Sequence, residues 1–137
     1  MNIQTSDILS ALAFLFSILS FCKTNSIEKG EIELHIRDVI ASARNKHLEI
    51  TLKLSNDLAN EDLQKAEKSA FEDLLNAYQE ACAKYLDNKT DKKRFRKTYY
   101  DDIEDLVKNE ASKEYLHPQN TKFQAINKVY NEWFIRE

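Results

Sequence analysis

Few side chains in this chain are of a type and spacing that could do chemistry. The histidines are His35, His47 and His117, and none stands near a Cys, Asp or Glu at a spacing that would hold a metal ion. No metal site and no cofactor are expected. The carboxylates Asp101, Asp102, Glu104 and Asp105 are clustered. A general acid–base pair needs a pocket and a shifted pKa; nothing apolar isolates these four, so a solvated helix face is expected. Cys22 and Cys82 lie far apart with no CxxC motif, and Cys82 falls on an apolar stripe where a thiol acts as a small core residue. The strongest charge feature is the basic run Lys92, Lys93, Arg94, Arg96 and Lys97, interleaved with Phe95, Tyr99 and Tyr100. Such a run suits anionic lipid headgroups or a nucleic-acid backbone. The competing reading is a solvated face balanced by Asp87, Asp91, Asp101 and Asp102.

The segment Arg44-Asn45-Lys46-His47 resembles a fragment of the Arg/His motif of HEPN ribonucleases. That motif spaces its Arg and His more widely, and here only Asn45 and Lys46 intervene. Arg96 and His117 are too far apart to supply it. No Ser/His/Asp or Cys/His arrangement is present either. The expectation is a protein that is not an enzyme, with no catalytic residues and no small-molecule substrate; the alternative is a degenerate HEPN-type ribonuclease that depends on His47.

The elements that position these residues are helices. Gly30 is the only glycine and Pro118 the only proline of 137 residues, where average usage gives about ten and seven. Hairpins and tight turns favour both residues, so sandwiches, barrels and Gly-rich phosphate loops are excluded. Lys and Arg number 20 against 23 Asp and Glu, a net charge of −3, which implies neither bulk nucleic-acid binding nor an acidic tail. Two thiols without a disulfide framework suit a reducing compartment.

The first helix carries the apolar content. Residues 8–22 hold no charge and are bounded by Asp7 and Lys23. At 1.5 Å per residue the run spans roughly 22 Å, against a hydrocarbon core of about 30 Å; counted from Ile3, it reaches about 30 Å. Residues 1–7 contain no Lys or Arg and Phe21 precedes Cys22, so neither a cleaved signal peptide nor a lipoprotein cysteine fits. The sequence therefore predicts a transmembrane helix over residues 1–23, with a buried core helix as the other reading. Ser6, Ser10, Ala13, Ser17 and Ser20 recur at spacings of 4, 3, 4 and 3. A seam of small residues lets helices approach closely in lipid and points to self-association. Lys23 and Lys29 follow the helix, which puts the C-terminal part on the cytoplasmic side of a bacterial inner membrane.

Residues 24–31 read as a juxtamembrane linker, with Ser26 a candidate cap and Gly30 a loosening residue. A cytoplasmic helical bundle follows over residues 32–137. Ile36, Ile40, Ala43, His47, Ile50 and Leu54 form a coiled-coil-like seam expected to join copies of the chain, with His47 setting register. Leu63, Ala66, Ala70, Leu74, Ala77, Ala81 and Tyr85 form a second stripe, widened by Phe71, Leu75, Tyr78, Cys82 and Leu86. Residues 55–62 are either a turn or an exposed stretch of one long helix. Asp87 to Thr90 is a turn, with Thr90 or Asp91 capping a helix whose inner face is Phe95, Tyr99, Ile103, Leu106 and Val107. His117 to Asn120 breaks the chain before a last helix bearing Phe123, Ile126, Val129, Tyr130, Trp133 and Phe134.

The stretch from Asn76 through Tyr78, Cys82, Tyr85, Lys92 and Arg96 to Tyr99 resembles a group of small bacterial proteins. These also begin with a Ser-rich apolar helix, continue through a coiled-coil-like helix and end on a short aromatic helix. Some look like accessory proteins of phage defence, and a more remote likeness is to the membrane-anchored, HEPN-like accessory protein of type VI-B CRISPR systems. The resemblance implies a membrane-linked accessory or effector role. Together with the two in-line seams, the expectation is a homo-oligomer that perturbs the membrane or forms a pore, with a protein or RNA partner for the bundle. The alternative is a membrane-tethered or soluble binding module that uses Lys92 to Lys97.

Overall fold

The computed structural model describes residues 5–117 and 122–135, with side chains described from residue 9 onward. The fold is all-α, and no strand occurs among the described residues. The helices are α1 (Thr5–Asn56), α2 (Glu61–Leu86), α3 (Lys92–Lys108), α4 (Glu110–Lys113) and α5 (Gln124–Phe134).

The expected linker at residues 24–31 does not exist. α1 runs through it as one helix of 52 residues. The segment contains weak helix formers but no proline, and a glycine inside a helix costs only up to about 1 kcal/mol relative to alanine. A helix already nucleated on both sides propagates across so small a penalty. Thr24 does not stop it either, because its hydroxyl donates to the Ser20 carbonyl at 2.9 Å, within the helix itself.

Residues 57–60 are the turn. Asn60 caps α2, its side-chain oxygen accepting from the Asp62 and Leu63 amides at 3.1 Å each. α2 then folds back antiparallel to α1, as the pairs His47–Glu67, Lys46–Asp73 and Arg44–Tyr78 show. The second stripe behaves as expected. Ala70, Phe71, Leu74, Leu75, Ala77, Tyr78, Ala81, Cys82 and Tyr85 are all buried.

This hairpin uses up the seam that the sequence assigned to oligomerisation. Ile36 and Ile40 are buried in the chain's own core, Ala43 is half-buried against it, and Ile50 and Leu54 are also half-buried. A heptad seam accepts any complementary apolar face, and the short turn after Asn56 brings α2 beside it at small entropic cost. His47 holds register within the hairpin. Its Nε2 lies 2.9 Å from Glu67 Oε1, and its ring lies 5.3 Å from that of Phe71.

Asp91 caps α3 by accepting from the Arg94 amide at 2.8 Å, while Thr90 is buried. α3 runs beside α1 in the same direction. The Asp91 amide donates to Glu33 Oε1 at 2.7 Å, and Arg44 donates to Asp102 Oδ2 at 2.8 Å; both pairs are 58 residues apart. α4 is a short turn of helix that the periodicity did not announce. The expected break falls between α4 and α5, with Pro118 to Asn120 outside the described residues. α5 packs along α2. Gln79 Oε1 accepts from the Ala125 and Ile126 amides at 3.0 and 3.3 Å, and Trp133 Nε1 donates to Tyr85 Oη at 3.1 Å. The core that results is continuous from Ile36 to Trp133.

The continuity of α1 is open to a direct test. Nothing lies within 4 Å of a methyl group placed on Gly30. Gly30→Ala is therefore expected to stabilise the fold by about 0.5–1 kcal/mol, read as a higher urea midpoint. A flexible linker at residues 24–31 would give no change.

Candidate functional site

Among the described residues no pocket encloses a constellation of reactive side chains, and the candidate site is a set of surfaces. The first is the amino-terminal part of α1, which projects beyond the bundle. Residues 9–28 are all exposed. Phe14, Phe16 and Phe21 are 67%, 70% and 74% accessible, and no part of the most apolar stretch is buried. Leu9, Leu12, Leu15, Ile18 and Leu19 complete an apolar surface on every side but one. The remaining side is the small-residue seam: Ser10, Ala13, Ser17 and Ser20. Ser6 belongs to it by spacing, but its side chain lies outside the described residues. Ser17 donates its hydroxyl to the Ala13 carbonyl at 3.0 Å, so the helix backbone itself satisfies this polar group. α1 is long and apolar enough to cross a membrane.

The second surface is the open side of the α1/α2 hairpin, away from α3 and α5. A groove runs there between Ile32, Val39, Ala77 and Ala81, with Glu31, His35, Asp38 and Ser42 on its α1 bank. An α-helix repeats its direction after 18 residues, which is five turns. Ala13, Ser17, Ser20 and Thr24 therefore stand directly in line with Glu31, His35, Asp38 and Ser42. Only the unbroken helix gives the small-residue seam and the groove a common face.

The third surface is the basic run. It opens α3, and the structure divides its members. Arg94 pairs with Glu33 at 2.5 Å. Lys92 Nζ lies 4.9 Å from the centre of the Tyr85 ring, and Arg96 lies 5.5 Å from that of Tyr100. Lys93 and Lys97 are exposed and have no ion-pair partner among the described residues. The aromatic interleaving is structural. Phe95 and Tyr99 are buried, their ring centres 4.8 Å apart.

A polar cluster joins three helices and was not visible in advance. Tyr78 donates to Asp102 Oδ2 at 2.9 Å, and Arg44 donates to the Tyr78 hydroxyl and to the same carboxylate oxygen. Asp102, counted by sequence among four solvated acids, is thus the one that ties α3 to the hairpin. Arg44 and His47, the HEPN-like pair, point to different partners. Arg44 serves this cluster, and His47 serves Glu67 and Phe71. Burial, and then the Asp102 carboxylate, push the Tyr78 hydroxyl well above the ordinary tyrosine range. Burial opposes the charge on Arg44, but its hydrogen bond to Asp102 and the pull of Tyr78 and Asp102 outweigh this and raise its pKa. Burial also pushes the Cys82 thiol up, as expected of an inert core residue.

No family model, curated protein or solved structure matches the chain. No group of three or more His, Cys, Asp or Glu side chains stands at metal-binding distance among the described residues.

Tyr78 carries the test of this cluster. Tyr78→Phe keeps the buried ring and removes the shared hydroxyl, so a loss of about 1 kcal/mol in urea unfolding is expected. Asp102→Ala should cost more, because it strands both donors. A raised tyrosine pKa favours the neutral hydroxyl in the folded state. Its contribution is whole below the ordinary value of about 10 and is lost as pH rises beyond it. The wild-type melting temperature should therefore fall above about pH 10, and Tyr78→Phe should fall less.

Proposed function

We propose that this chain is a membrane-anchored helical protein that self-associates through its apolar segment, with the bundle on the cytoplasmic side. One observation carries the reading: the bundle buries a core of its own and leaves the most apolar stretch of the chain outside it. Burying a large apolar side chain is worth about 1.5–3 kcal/mol. Leaving eight such residues in water would cost on the order of 10 kcal/mol, comparable to the whole stability of a domain. A cover is required. A helix that self-associates in water has one apolar stripe, whereas this one is apolar around most of its circumference, which is the pattern suited to lipid.

Self-association is supported by the small-residue seam, the one side of the segment that lipid-facing side chains leave clear. The alignment with Glu31, His35, Asp38 and Ser42 gives that contact a route below the membrane. It replaces the Ile36 to Leu54 seam, which is occupied within the chain. An accessory or effector role in phage defence, acting by membrane perturbation, follows from the resemblance of residues 76–99 and is part of the proposal. The buried Cys82 and the exposed Cys22, both free, agree with a reducing cytoplasmic side.

Fractionation of cells expressing the full chain tests the anchor. The protein is expected to stay with membranes through carbonate and to leave them only in detergent; release by carbonate would sink the reading. Self-association is tested separately by crosslinking in membranes. Ser10→Leu with Ser17→Leu should shift the products toward monomer, and an unchanged ladder would remove the seam from the proposal.

A further inference from the structure

We infer that the membrane-proximal end of the bundle is a docking surface for an anionic lipid leaflet, with Lys93 and Lys97 as its free contacts. The inference rests on the anchor reading above and adds a second, electrostatic attachment. α1 supplies the ruler. It is continuous, so Glu33 lies 11 residues, or roughly 16 Å, beyond Cys22 along the axis. The interfacial zone of a bilayer takes up about 5–7 Å of that distance. The level of Glu33 is therefore about one Debye length from the headgroups at physiological salt.

Several elements converge at this level. The Asp91 amide and Arg94 both bind Glu33, which fixes the start of α3 there. Tyr85, near the end of α2, touches Lys92, Phe95 and Trp133. The end of α5 arrives with Trp133 and with Ile135, which is 65% exposed. The bundle thus meets the membrane side with the basic start of α3, the turn bearing Lys89, and an exposed apolar side chain at the end of α5.

The charge at this end is uneven because three of its acids are engaged and the exposed Glu28 and Asp87 are outnumbered by Lys29, Lys89, Lys93 and Lys97. Glu33 is held by Arg94 and the Asp91 amide, the Asp91 carboxylate caps α3, and Glu132 accepts from the Tyr85 hydroxyl at 2.7 Å. Glu31 lies on the groove side of α1, whereas Glu33 and Arg37 face α3. Lys93 and Lys97, a turn apart, are left facing outward with no ion-pair partner among the described residues. A negative leaflet complements this surface, and an ordinary tilt of the anchoring helix brings it into contact.

Trp133 is the chain's only tryptophan, is 1% exposed and belongs to this end, so it serves as an internal donor. The full chain is reconstituted into vesicles containing a dansyl-headgroup lipid, with phosphatidylcholine alone or mixed with phosphatidylserine. Energy transfer from Trp133 is expected to rise with phosphatidylserine. The rise should disappear in high salt and in Lys93→Gln with Lys97→Gln, a pair whose exposure leaves the fold intact by circular dichroism. Equal transfer in both lipids would overturn the inference. If transfer is equal and the same lysines instead give salt-dependent binding of an RNA oligonucleotide, they belong to a nucleic-acid surface. Absence of transfer in either lipid is a different result. It means that the anchor itself is missing, and both readings fall together.

Discussion

The structure depends on α1 being one helix. Its first part is apolar on nearly every side, its second part is half of a hairpin, and no break separates them. That continuity sets the direction in which each side chain leaves the axis over the whole element. The small residues of the first part and the polar bank of the groove share a face for this reason alone. So does the contact with α3, where Glu33 and Arg44 receive partners at the same sequence separation.

Two kinds of interaction hold the bundle to this rod. Apolar packing supplies most of the free energy, through the α2 stripe and the aromatic group of Tyr85, Phe95, Tyr99 and Trp133. Polar contacts then select one arrangement among the many that such packing allows. Glu33 fixes where α3 starts, and Asp102 fixes its register further along. Gln79 caps the start of α5 from α2. Each is a partly exposed contact of modest strength, but each opposes sliding of one helix past another.

Much of this was legible in the residues. The near absence of Gly and Pro excluded sheets, the wide stripe on α2 marked a packed face, and Cys82 fell where a buried thiol belongs. The turn at Asp87 to Thr90 was marked by its side chains, and Asn88 adopts a positive φ of 57° there. Two readings went astray for physical reasons. Thr24, Asn25, Ser26 and Gly30 are turn-like in composition, yet helix propagation is cooperative and tolerates them when no proline intervenes. The Ile36 to Leu54 seam shows that a face must be covered but not by what, and the nearest cover was the chain itself. Glu33 and Asp102 had no signal. Their partners lie 58 residues away, and nothing distinguishes either acid from its neighbours until the helices are assembled.

A rod without a joint is also a lever. The middle of the apolar stretch and the far end of α1 are about 41 residues apart, or about 61 Å. A change of about 10° in the inclination of the apolar part swings that far end through about 11 Å, carrying α2 and the groove with it. In the membrane-anchored arrangement proposed above, variation in bilayer thickness or in the packing of neighbouring helices would thus reach the bundle as displacement, with nothing along α1 to absorb it.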